Sequence, residues 1–64
     1  MNKYYRIYGK PNNAKRFKAL DLSNGVFVNN LIYASFWSDK NDIKKVLEDL
    51  IKMNPDVQFE IRKV

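Results

Sequence analysis

The sequence predicts an α+β domain: a four-stranded, mostly antiparallel sheet, β-β-β-α-β along the chain, with one helix packed on one face. Three observations lead there. Residues 57–64, VQFEIRKV, alternate apolar and polar with the period of two that a half-buried strand requires. Ile43, Val46, Leu47, Leu50 and Ile51 recur at helical spacing and make a single apolar stripe. Before residue 38 the apolar residues fall in short runs rich in aromatic and β-branched types, punctuated by Asn, Gly and Pro.

The first strand is expected over residues 3–8, KYYRIY, with Tyr5 and Ile7 on one face and Tyr4, Arg6 and Tyr8 on the other. Residues 9–14, GKPNNA, read as loop. The second strand follows over 15–22, with Phe17 and Ala19 turned one way and Arg16, Lys18 and Leu20 the other. Ser23, Asn24 and Gly25 then form a turn, because Asn-Gly tolerates the positive φ that tight hairpins need.

Residues 26–37, VFVNNLIYASFW, admit two readings: one strand interrupted at Asn29 and Asn30, or two short strands around an Asn-Asn turn. The favoured assignment is a strand over 31–36, with 26–28 as a lesser extended piece. The helix spans about residues 39–53. Ser38 or Asp39 caps its start, and Asp42 suits the positive end of its dipole. Asn54 fits a left-handed C-terminal position and Pro55 prevents continuation.

One apolar stripe covers one face of one sheet. Successive hairpins followed by a right-handed crossover give the strand order 3-2-1-4. The covered face then holds Tyr5, Ile7, Phe17, Ala19, Val57, Phe59 and Ile61. The opposite face, with no second helix to cover it, presents Tyr4, Arg6, Tyr8, Arg16, Lys18, Leu20, Gln58, Glu60 and Arg62.

Residues 1–64 form one small domain without internal repeat or linker. The chain has no cysteine, which excludes disulfides and cysteine-held zinc. It has no histidine, which removes the commonest general base and metal ligand together. The carboxylates at Asp39, Asp42, Glu48 and Asp49 are interspersed with lysines, as on an ordinary solvated helix face. Neither an enzyme activity, nor a catalytic or metal-ligating residue, nor a cofactor is expected. No apolar leader follows Met1 and no run approaches the ~20 apolar residues of a membrane span. The expectation is a cytoplasmic protein with no membrane partner.

A net charge of +5 favours anionic partners. On the open face, tyrosine rings can stack on bases while Arg and Lys neutralise phosphates. The expected function is a small non-enzymatic basic binding protein that contacts nucleic acid or a nucleoprotein complex. Its binding residues are Tyr4, Arg6, Tyr8, Arg16, Lys18, Leu20 and Arg62. No Lys/Arg-Gly-Phe/Tyr-Gly motif supports a ribonucleoprotein-type domain. The alternative is a protein–protein inhibitor or adaptor, such as a phage or mobile-element product that blocks a host complex. The aromatics Phe27, Tyr33, Phe36 and Trp37 exceed what one helix covers and leave surface for a protein partner or a homodimer.

Overall fold

The computed structural model describes residues 4–64. Lys3, the expected first residue of the first strand, lies outside the described residues. The elements are β1 (Tyr5–Pro11), β2 (Lys18–Asp21), β3 (Val26–Val28), a short 3-10 turn (Leu31–Tyr33), α1 (Lys40–Met53) and β4 (Val57–Lys63). The strands form one sheet in the order β3-β2-β1-β4, every neighbouring pair antiparallel, with α1 against one face. This is the predicted fold and strand order. Among the described residues, no helix is long and apolar enough to cross a membrane.

The helix forms where the apolar stripe and the caps agree. The Asp39 carboxylate accepts the Asn41 backbone N–H at 2.8 Å, filling one of the vacancies that every helix start leaves. At the other end the Asn54 N–H donates to the Leu50 carbonyl at 2.9 Å, and its side-chain Nδ2 reaches the same carbonyl at 3.1 Å. Asn54 has φ −134°, so it caps by donating hydrogen bonds and not by the expected left-handed turn.

The core is Ile7 and Ile43, both fully buried, with Leu20. Around them pack Tyr5, Phe27, Trp37, Val46, Leu47, Leu50, Phe59 and Ile61. Each such side chain contributes roughly 1.5–3 kcal/mol when fully buried. Tyr5 and Ile7 therefore face the helix, as the alternation of the first strand predicts.

The second strand is the opposite way round from its expected orientation. Tyr8 pairs with Ala19 and Gly9 with Lys18, which puts Ala19 on the open face beside Tyr8 and Leu20 on the helix side beside Ile7. Leu20 in turn lies opposite Phe27 across β2–β3. The larger side chain takes the core. Phe17 joins the open face, where the Lys10 Nζ lies 5.7 Å from its ring centre.

Residues 31–36 do not form the favoured strand. Val26–Val28 is the third strand, and the chain then coils at Leu31–Tyr33, where the Asn30 side chain accepts the Ile32 N–H at 3.1 Å. Residues 35–37 return along the sheet as a splice. Trp37 and Tyr5 exchange both backbone hydrogen bonds, at 2.8 and 2.9 Å. Ser35 donates its N–H to the Leu20 carbonyl at 2.9 Å, and its Oγ accepts the Leu22 N–H at 2.9 Å. The segment takes over beside β1 where β2 peels away.

β1 also runs further than its expected end, through Gly9 and Lys10 to Pro11, which lies opposite Val57. Proline is tolerated there because its missing N–H would face the β2 side, beyond the last β1–β2 pair at Gly9. Gly9 has a packing role: a Cβ there would collide with the Phe27 ring and lie 3.2 Å from the Phe59 ring. Those two rings close over the bare glycine with centroids 6.4 Å apart.

Candidate functional site

The face of the sheet away from α1 carries no second layer among the described residues, and β1 and β4 supply most of its chemistry. The strands run in register over seven pairs, among them Arg6 opposite Arg62, Tyr8 opposite Glu60 and Lys10 opposite Gln58. Because β-strands alternate, these even-numbered residues all point to the open side.

Two arginines directly opposite one another repel, and this costs stability on a sheet. The arrangement around them shows how the strain is spread. Arg62 turns onto the Tyr8 ring, its guanidinium carbon 4.4 Å from the ring centroid, with the Phe17 ring 5.6 Å away. It also forms an ion pair and hydrogen bond with Glu60. Both ends of that ion pair are nearly half-exposed, so it is worth little by itself. Arg6 receives no such compensation: its Nε is buried and has no hydrogen-bond partner among the described residues. Tyr4, Arg6, Phe36 and Val64 line a shallow depression of about 200 Å³ there. Phe36 meets Tyr4 edge-on at 5.2 Å. The result is a row of alternating rings and cations with one guanidinium donor unsatisfied.

The structure brings together four of the seven sequence-predicted residues: Tyr4, Arg6, Tyr8 and Arg62. Leu20 is a correction. It is only 4% exposed and belongs to the core, because the β2–β3 hairpin sets it opposite Phe27. Lys18 is corrected with it: it is solvent-exposed but shares the helix side with Leu20. Arg16 is exposed in the loop before β2, outside the strand that was to hold it on the open face. Three residues join the face that the sequence did not put there. Lys10 continues the alternation Tyr4, Arg6, Tyr8 beyond Gly9 and was legible had the strand been extended. Phe17 follows from the reversal of β2. Phe36 is delivered by the Trp37–Tyr5 splice, for which no local pattern exists.

Among the described residues, no group of three or more carboxylates converges to hold a metal ion. The chemistry available on this face is cationic and aromatic: it can attract an anion and stack on a flat ring. Comparison with family models, with curated proteins and with solved structures finds no match for this chain.

Proposed function

We propose that this is a non-enzymatic binding protein that engages nucleic acid, or the exposed nucleic acid of a nucleoprotein complex, through the open sheet face. The observation that carries the reading is Arg6. Its positive charge stands opposite a second arginine, and its Nε has no hydrogen-bond partner among the described residues, so the charge is left for an anion such as a phosphate to offset through the rest of the guanidinium. Exposed rings at Tyr4 and Phe36 and the Tyr8–Arg62 stack supply surfaces on which bases stack in a single strand. The same reading has the protein working in the cytosol, without a cofactor or a metal.

Arg6→Glu tests it directly. The change places opposite charges across the Arg6–Arg62 pair, so the fold is retained or gains slightly. Binding of labelled single-stranded oligonucleotides, followed by fluorescence anisotropy over a salt series, is expected to fall at least about tenfold. For wild type, log K should fall with log salt by about 0.7 per phosphate engaged. Lys18→Glu, on the other side of the sheet, serves as the matched charge control and should lose less. Equal losses in the two variants would sink the reading.

A second reading has its own observation. Leu31, Ile32, Tyr33 and Phe36 are exposed by 43, 78, 62 and 60%, which is a concentrated apolar surface for one short segment. It fits a protein partner and hence an inhibitor or adaptor. Binding of that kind depends weakly on salt and is lost on Ile32→Ser with Tyr33→Ser.

A further inference from the structure

β4 is one of the two edges of the sheet, and its outer side is an unbroken template. Tyr5 spends both of its backbone hydrogen bonds on Trp37, so odd residues of β1 point away from β4 and even ones point toward it. The Val64 N–H donating to the Tyr4 carbonyl at 2.8 Å agrees. Arg62, Glu60 and Gln58 therefore turn their backbone groups inward to β1. Phe59, Ile61 and Lys63 turn theirs outward, to no strand among the described residues.

We propose that a second copy of this chain pairs with that edge, β4 against β4, about a two-fold axis through Ile61. Geometry restricts the choice of register. In an antiparallel pair, outward residues must meet outward residues, so the two-fold axis passes through a residue and not between residues. Centring on Glu60 sets Glu60 against Glu60 of the second copy. Centring on Arg62 sets arginine against arginine. Both are like-charge contacts at the closest approach of the strands. Centring on Ile61 sets Glu60 opposite Arg62 of the second copy and Arg62 opposite its Glu60. Ile61 then meets Ile61 on the helix side, and Phe59 meets Lys63. In this register every outward N–H and C=O of Phe59, Ile61 and Lys63 finds a partner.

Charges on an edge strand normally keep other strands off. Here their order along the strand is self-complementary with the axis through Ile61 and repulsive one residue to either side, so the charges favour that pairing over its neighbours. An axis through Phe59 would set Glu60 opposite the neutral Gln58 and form no charge pair between them. The assembly would be one eight-stranded sheet with both helices on the same side and both cationic faces on the other.

The test is oligomeric state by sedimentation equilibrium, with nuclease-treated protein so that nucleic-acid binding plays no part. Wild type is expected to show a concentration-dependent monomer–dimer equilibrium. Glu60→Arg alone, and Arg62→Glu alone, each put like charges opposite and should raise the dissociation constant at least about tenfold. Mixing the two variants restores opposite charges at both positions and should recover the dimer as a heterodimer. Lys63→Pro removes an outward N–H without touching a bond to β1 and should weaken the dimer while circular dichroism stays native. A wild type that remains monomeric at millimolar concentration overturns the proposal. So does a dimer that Glu60→Arg and Arg62→Glu leave intact, since another surface would then hold it.

Discussion

The sheet has two halves built on different principles. β1 and β4 pair over seven consecutive positions, lie under α1, and enclose Ile7 against Ile43 with neither exposed to solvent. β2 and β3 are four and three residues long, and only Tyr8 and Gly9 pair with β2. The helix leaves them partly uncovered: a groove of about 480 Å³, walled by Leu20, Phe27, Val46, Leu50, Met53 and Phe59 among others, opens beside its C-terminal half. The first half is stabilised by repetition, the second by a few singular contacts: a bare glycine, an Asn-Gly turn, a spliced segment. Substitutions should therefore act by cavity size in the first half and by backbone or steric rule in the second.

The largest effect belongs to the repetitive half. Ile7→Ala or Ile43→Ala is expected to cost about 2–5 kcal/mol, read as a drop in the urea midpoint. The cost is a large share of what so small a domain has. A loss under about 1 kcal/mol would mean that the helix does not sit on β1. Leu20→Ala should fall in the same range although its strand belongs to the weaker half. Phe17→Ala should cost less, about 1–2 kcal/mol, because its ring is only partly buried on the open face and its contacts with Lys10 and Arg62 add little. The reverse ranking would restore the orientation of β2 that the sequence suggests.

That ranking also marks where the sequence was legible. The helix and β4 could be read within a residue or two at their ends, because each repeats one period without conflict. The strand order followed from having one stripe and one crossover. β2 defeated the same logic. Phe17 and Ala19 oppose Lys18 and Leu20 with an apolar residue on each side, so alternation does not choose between the faces. The choice is made by pairing, which seats Leu20 between Ile7 and Phe27. Residues 31–36 failed for another reason. Their composition favours a strand, but Asn30 caps a turn there and Ser35 and Trp37 bind a different part of the sheet. Half of the binding face was visible for the same reason as β4: Arg6, Tyr8 and Arg62 lie on the strands with clean alternation. The like-charge contact between Arg6 and Arg62 needed the register, which no single strand encodes.

At the seam between the halves, Gly9→Ala drives a methyl into the Phe27 ring, and the ring has to leave its place against Phe59. Overpacking of this kind costs about 1–3 kcal/mol. The seam gives the second half a local signature: amides of Leu20 and Val28, which face into the ladder, should exchange faster with solvent in Gly9→Ala, while the inward amides of β4 keep their protection. Uniform acceleration across the sheet would show that the two halves open as one.

The most local effect tests the turn alone. Gly25 has φ +67° with nothing near its Cβ position, and its N–H closes the hairpin on the Asp21 carbonyl at 2.9 Å. An alanine there meets no neighbour, so the whole cost is backbone strain, about 1–2 kcal/mol. Asp21, buried and holding the Asn24 side-chain amide at 2.8 Å, fixes the turn from inside, so the loop has little freedom to relax away from the strained φ. Asn is the substitution that separates strain from space. It tolerates the left-handed region better than Ala, so Gly25→Asn should unfold at higher urea than Gly25→Ala despite its larger side chain. If Ala proves the milder replacement, the hairpin is held by its contacts and the Asn-Gly pair is incidental to it.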